Sequence, residues 1–350
     1  MRILLVRLRL IGDVVFTTPL IRALRRRHPD AHLAYVVEPP AAPILHGNPH
    51  LDEVIVAPRR RGPQRLFDDI ALAARLRRGR FDIAIDLHGG PRAAWLTRAS
   101  GARMRIGYEM TGRSWIYTHR VRRSPDLFPR HSVVNQWDLL APLGIDDCTP
   151  ERDPVEMAED AASVERVARR LESAGIGADD RLVVVHVSAG NEFRRWPEDS
   201  FSSMIAALAE GDPRRRIIVA SGPSDAEAAR RVTDAARARL STPAALPPLL
   251  EWDLGELRAL IARAAVYIGG DSGPLHLAST TRTPIVALLG PTLPERSRPW
   301  RDRQLRAETV DAGPLPCRPC DQRRCIPGDF RCLTRIGPEQ VVAAVERVLR

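Results

Sequence analysis

Short apolar runs alternate along this chain with longer segments whose apolar positions recur every three or four residues, the pattern of strands exchanging with amphipathic helices. Residues 2–6 predict a strand; Gly12 and Asp13 then open an apolar, helix-like stretch to residue 24 that closes on Arg25-Arg26-Arg27-His28-Pro29. Strands are expected at 31–37, 53–56 and 81–87, and helices at about 65–78, 133–143 and 158–173, the last stopped by Gly175 and Gly177. A second alternating series follows, with strands at 182–187, 217–221, 266–269 and 284–289 and helices at 201–210, 225–240 and 254–264. Strand, helix, strand order with short links predicts parallel sheets flanked by helices. The break near 150–180 therefore divides the chain into an α/β domain over 1–165 and another over 180–337, with a terminal helix at 338–350 free to pack back on the N-terminal domain. Two such Rossmann-like domains facing each other make a cleft lined by the carboxyl ends of their strands, where ligands of open α/β sheets bind.

Composition narrows the partners. A chain of 350 residues suits two domains, and no apolar run approaches the ~18–20 residues that span a bilayer. The basic start at Met1-Arg2 resembles the head of a signal peptide, but Arg7, Arg9 and Asp13 interrupt its apolar core, so a cytoplasmic protein is expected. The net charge of +10 lies wholly in residues 1–150, with 24 Arg against 14 Asp and Glu, whereas residues 151–350 hold 29 of each. The first domain is thus suited to something anionic, such as nucleic acid, a membrane surface or an acidic glycan. An aromatic content of 5% and the lack of a recognisable module argue against nucleic acid. No Gly-x-Gly-x-x-Gly follows the first strand, which argues against a nicotinamide dehydrogenase.

Three loops at strand ends carry the candidate chemistry. In Ile268-Gly269-Gly270-Asp271-Ser272-Gly273-Pro274-Leu275-His276 an apolar strand ends in a glycine turn, Ser272 is placed to cap a helix, and Pro274 lies in its first turn. Unpaired amides there can cradle a diphosphate, with Asp271 and His276 flanking it to meet sugar hydroxyls; a well-capped helix after a buried strand is the plainer alternative. After the first strand of the second domain, Ser188, Ala189 and Gly190 let backbone approach an oxyanion and Arg194 and Arg195 supply cations, unless Trp196 and Pro197 merely anchor a solvent loop. Asp13, after Gly12, stands where a helix dipole stabilises a carboxylate, which then either accepts a proton or only serves the helix start.

Taken together, Arg7-x4-Gly12-Asp13, Thr18-Pro19-Leu20, Asn48-Pro49-x2-Asp52-Glu53-Val54, Arg105-Ile106-Gly107-Tyr108, Arg194-x-Trp196-Pro197, Gly270-Asp271-Ser272-Gly273-Pro274-x-His276 and Leu289-Gly290-Pro291-Thr292 resemble, in order and spacing, the bacterial heptosyltransferases of glycosyltransferase family 9. The resemblance implies a GT-B fold with an N-terminal acceptor domain and a C-terminal donor domain. It implies inverting, metal-independent transfer of heptose from ADP-heptose to the inner core of lipopolysaccharide, with no cofactor required, at the inner face of the inner membrane. Carried over by motif, Asp13 would be the general base, and Arg7, Arg9 and Arg105 would meet the anionic acceptor. Ser188, Ala189, Gly190, Arg194, Asp271, Ser272, Gly273 and His276 would bind the donor. Arg194 stands where the family usually has Lys, which keeps the charge and changes its geometry. A transferase with another nucleotide-sugar or acceptor, and a non-catalytic sugar-nucleotide or nucleic-acid binding protein, are the competing readings.

Cys317-x2-Cys320-x4-Cys325-x6-Cys332 gathers four of five cysteines. In a reducing compartment four thiolates so spaced suit a structural zinc clip, and reduced thiols packed in a loop are the equal alternative.

Overall fold

The structure, a computed structural model, describes residues 1–60, 62–122, 130–187, 191–222, 225–242 and 245–350. It divides into two compact units, Met1–Ala158 and Glu159–Arg350.

The first unit runs β1 (Arg2–Val6), α1 (Ile11–Val15), α2 (Thr18–Arg27), β2 (His32–Val37), β3 (Glu53–Val56), α3 (Pro63–Arg78), β4 (Ile83–Asp86), α4 (Pro91–Ala99), β5 (Met104–Tyr108), β6 (His119–Val121) and α5 (Ser132–Trp137). Its six strands are all parallel in the order β3-β2-β1-β4-β5-β6. The order reverses between β1 and β4, the switch point outside which open α/β sheets bind ligands. Strand β1 is buried on both faces, as a central parallel strand must be, which is why Ile3-Leu4-Leu5-Val6 reads as an unbroken apolar run. The single helix expected over residues 12–24 is two helices. Thr17 and Thr18 donate their hydroxyls back to the carbonyls of Val14 (2.6 Å) and Val15 (2.8 Å), and Pro19, which has no N–H, opens α2.

The second unit runs α6 (Ala161–Ser173), β7 (Arg181–His186), α7 (Glu198–Gly211), β8 (Arg215–Ala220), α8 (Ala226–Arg237), α9 (Leu254–Arg263), β9 (Val266–Gly270), α10 (Gly273–Ala278), β10 (Ile285–Leu289), α11 (Pro294–Ser297), β11 (Ala307–Asp311), α12 (Arg331–Thr334) and α13 (Pro338–Leu349). Its parallel sheet has the order β11-β10-β9-β7-β8, with the reversal between β7 and β9.

Helix α6, expected to end the first domain and lead into a link, packs on α9, where Arg166 and Arg170 donate to Glu256 at 2.9 Å each. Helix α13 belongs to the second unit. Val341, Ala344, Val345 and Val348 are buried in the second unit's core with Phe201, Leu208 and Val286, because α13 presents one apolar stripe to α7 and the sheet.

Candidate functional site

In the first unit, the segment after β1 is tied down on both sides of the switch point. Arg7 donates its backbone N–H to Val36 O (3.1 Å), and Leu87, just past β4, donates to Val6 O (3.0 Å). The Arg7 side chain then turns inward, 11% exposed, and donates to Leu87 O (2.5 Å) and Arg9 O (3.0 Å) while its second terminal nitrogen forms an ion pair with Asp13. Asp13, in the first turn of α1, keeps 34% of its side chain exposed. One guanidinium thus joins the carboxylate to the ends of both central strands. The Arg7 donors that make these bonds are directed at the protein.

The loop after β4 is built on Asp86, which is fully buried. Its Oδ1 accepts from the amides of His88 (2.9 Å) and Gly89 (2.8 Å), and its Oδ2 from the Tyr117 hydroxyl (2.7 Å). Burial raises the Asp86 pKa, opposed by those three donors and by Arg7. Gly89 lies at φ +72°, so the turn needs a residue without Cβ. His88 is brought close enough to Arg7, Arg9 and Asp13 to feel their charges. Burial first, then the two arginines, push its imidazole down to about 4, so it is neutral at physiological pH.

Beside this loop a cavity of about 490 Å³ is lined by Arg9, Glu38, Arg59, Arg60, Arg65 and His88, with Arg92 at its wall. Arg92 is fully engaged, donating to Glu38 (2.8 Å), Asp69 (2.6 Å) and Pro58 O (2.7 Å). Arg9, Arg59, Arg60 and Arg65 are exposed and make looser contacts, such as Arg59 with Glu38 at 3.7 Å. Arg9 therefore sits where an anionic ligand can reach it. Arg105 does not. It is the second residue of β5, opposite Ala84 and far from the strand's carboxyl end, and it donates to Ile116 O and Ala102 O at 2.7 Å each, holding two loops together.

In the second unit the corresponding switch point carries the donor candidates. Asp271, the residue after β9, is 1% exposed at its side chain; Oδ1 accepts from Ser297 Oγ (2.5 Å), His276 Nε2 stands 3.6 Å from the same oxygen, and Oδ2 pairs with Arg194 at 3.1 Å. Burial alone would raise the Asp271 pKa, but His276, Arg194 and Ser297 together hold the carboxyl well below the usual range. Arg194 is braced further by Gln322, whose Oε1 accepts from Arg194 Nε (2.7 Å) and Asn191 Nδ2 (2.9 Å). A Cβ on Gly270 would lie 3.2 Å from Arg194 O, a tight approach where the two loops touch. Trp196 is buried against Phe201 with its indole N–H donated to Ile336 O (3.0 Å), and anchors the loop that carries Arg194. Ser272 is the N-cap of α10 without a side-chain capping bond, and its hydroxyl is buried with no hydrogen-bond partner among the described residues. Gly273 is the first residue of that helix, so its amide points out of the turn. Ser188, Ala189 and Gly190 lie outside the described residues.

The four clustered cysteines are free thiols around a cavity of about 460 Å³ that Phe193 and Phe330 also line. Burial raises the Cys332 pKa, with Cys320 and Cys317 adding to it. Among the described residues no three His, Cys, Asp or Glu side chains converge as metal ligands.

Sequence reasoning missed Asp86, His88, Tyr117, Ser297, Gln322 and the cavity arginines other than Arg9. Asp86 and His88 carried a usable signal, a polar residue ending an apolar strand just before Gly89-Gly90. Gln322 carried none.

Two all-parallel α/β units, each with chemistry gathered at its switch point, define a GT-B glycosyltransferase fold. The sequence profile of glycosyltransferase family 9 (heptosyltransferase) matches residues 70–329, and the chain belongs to this family. It is 30% identical over 346 residues to lipopolysaccharide heptosyltransferase 3 of Escherichia coli, covering 97% of this chain and 96% of that one. Among solved structures it resembles a family 9 glycosyltransferase of Veillonella parvula, with a TM-score of 0.86, 24% identity and 99% and 97% of the two chains covered. It also resembles the E. coli ADP-heptose lipopolysaccharide heptosyltransferase II, with a TM-score of 0.78, 20% identity and 100% and 98% covered.

Proposed function

We propose that this glycosyltransferase moves heptose from ADP-heptose to the inner core of lipopolysaccharide, with inversion at the anomeric carbon and without a catalytic metal. The observation that carries the reading is Asp13, held by Arg7 at the β1–β4 switch point beside a cavity of exposed arginines. Inversion needs one in-line displacement and one base. Asp13 takes the proton of the acceptor hydroxyl as its oxygen forms the bond to the anomeric carbon, and the bond from that carbon to the diphosphate oxygen breaks with ADP leaving. The neutral His88 imidazole, set beside Asp13, adds no positive charge to oppose that proton transfer. Negative charge grows on the departing diphosphate and is met by Arg194 and by the Ser272 and Gly273 amides, groups oriented before the reaction and therefore effective without rearrangement. Asp271 fixes Arg194 and, with His276, accepts from hydroxyls of the donor sugar. Arg9 meets carboxylate or phosphate groups of the acceptor, and an N-terminal unit so rich in arginine suits work at an anionic membrane, at the inner face of the inner membrane. Relatives named for lipopolysaccharide and ADP-heptose support both substrates.

The test is release of ADP from ADP-heptose by the purified protein with a truncated lipopolysaccharide acceptor, in the presence and absence of a chelator. Release that requires the acceptor, survives the chelator and yields a glycoside of inverted anomeric configuration supports the proposal; donor binding without turnover on any core acceptor overturns it.

A further inference from the structure

Helix α3 wears its apolar residues on the wrong side for a soluble protein. Leu72 and Leu76 are buried in the first unit's core. At about 100° per residue, Phe67 and Ile70 fall on the opposite face, together with Pro63 and Ala74, and Leu66 lies on its flank. Leu66, Phe67 and Ile70 are 63%, 71% and 53% exposed. The acids of the helix point away from this face. Asp69 pairs with the buried Arg92 at 2.6 Å and with Arg65 at 3.7 Å, and Asp68 with Arg60 at 3.5 Å. Around the start of the helix the exposed charges are cations, namely Arg59, Arg60 and Arg65. An outward apolar face edged by arginines, with its carboxylates turned in, is complementary to one kind of surface. Acyl chains accept the apolar side chains and anionic headgroups meet the guanidiniums.

We propose that α3 docks the first unit on an anionic phospholipid bilayer, with Leu66, Phe67 and Ile70 entering the boundary between headgroups and acyl chains and Arg59 and Arg60 on the lipid phosphates. The same two arginines line the cavity next to His88, so docking brings the mouth of that cavity to the lipid surface, where an acceptor anchored by acyl chains presents its sugars. In that last respect the inference rests on the proposed acceptor; the docking itself does not.

The experiment is flotation of the full chain with phosphatidylcholine vesicles, with and without phosphatidylglycerol, at low and high salt, for the wild type and for the variant L66S/F67S/I70S. The three positions are exposed, so the variant is expected to keep the wild-type circular dichroism and melting temperature, and a variant carrying only Phe67→Ser provides a milder version. The wild type should bind the anionic vesicles at least tenfold more tightly than neutral ones, less so at high salt, and the triple variant should lose tenfold or more of that affinity. ADP release with a de-acylated, water-soluble acceptor should be unchanged by the triple substitution. Equal binding by wild type and variant, or no preference for anionic vesicles, overturns the proposal. So does concentration-dependent dimerisation without lipid binding that the variant abolishes, since the face then belongs to a second copy of the chain. Vesicle binding is read without donor or acceptor, so a protein that docks but does not transfer heptose contradicts the proposed function alone.

Discussion

Replacing Arg7 by Met keeps the length of the side chain and removes every donor that joins Asp13 to the strand ends. Arg7 is 11% exposed and bonded to Leu87 O, Arg9 O and Asp13, so the substitution leaves carbonyls without their donor and should cost about 1–3 kcal/mol of stability. Its effect on the reaction depends on what Arg7 does. If it acts by holding Asp13 in place, freeing a carboxylate that is one-third exposed lowers kcat by roughly 10–10², or ~1.4–2.7 kcal/mol, with little change in the KM of either substrate. Asp13→Asn removes the proton acceptor and should lower kcat by about 10²–10⁴. The decisive protein is the double variant. A residue that works only through Asp13 has nothing to contribute once the base is gone, so R7M/D13N should turn over within about threefold of D13N, a coupling as large as the whole effect of R7M. Steady-state ADP release over a range of acceptor and donor concentrations reads all four proteins. Additive losses in the double variant, or a raised acceptor KM in R7M, would refute the positioning role and restore Arg7 to the acceptor.

Asp271→Asn should weaken ADP binding by tenfold or more in calorimetry, because Arg194 loses the buried carboxylate that orients it; unchanged affinity would show that Gln322 alone suffices. Tyr117→Phe takes one donor from the buried Asp86 carboxylate and should cost about 1.5–3 kcal/mol in urea unfolding, more at higher pH, where that carboxyl is ionised. His88 has its pKa lowered from 6.5 to about 4, so the unfolded chain takes up its proton first. Its contribution is complete above 6.5 and is lost as the pH falls toward 4, by about 1–2 kcal/mol after allowing for partial exposure. His88→Gln should therefore lose less stability than the wild type between about pH 7.5 and pH 5, and equal losses in both proteins would place the titration elsewhere.

The central strands of both sheets were legible because burial on both faces demands continuous apolar runs, as in Leu182-Val183-Val184-Val185 and Ile285-Val286-Ala287-Leu288-Leu289. Edge strands β6 and β11 and the mixed β5 escaped prediction for the converse reason. His119-Arg120-Val121 and Ala307-Glu308-Thr309-Val310-Asp311 are short and half polar, and are strands because a neighbour supplies their register. At the site, positions that follow strand ends with glycine, Asp13 and Asp271, stood out by local pattern. What Arg7 and Arg105 bond to depended on partners outside their own strands, Leu87 for one and Ile116 for the other, and the residue type at each position is the same for a ligand contact as for an internal brace. The exposed face of α3 was hidden differently, since helical spacing shows that Leu66, Phe67 and Ile70 share a side and not which side meets the sheet.

In the proposed reaction Asp13 is the base of an acceptor-dependent heptosyl transfer. Its most direct measurement is ADP release from ADP-heptose with a truncated lipopolysaccharide acceptor by the wild type and by Asp13→Ala, with ADP affinity measured in parallel. The account predicts a fall in kcat of about 10² or more in the variant with ADP affinity preserved. Turnover in Asp13→Ala close to that of the wild type would contradict it.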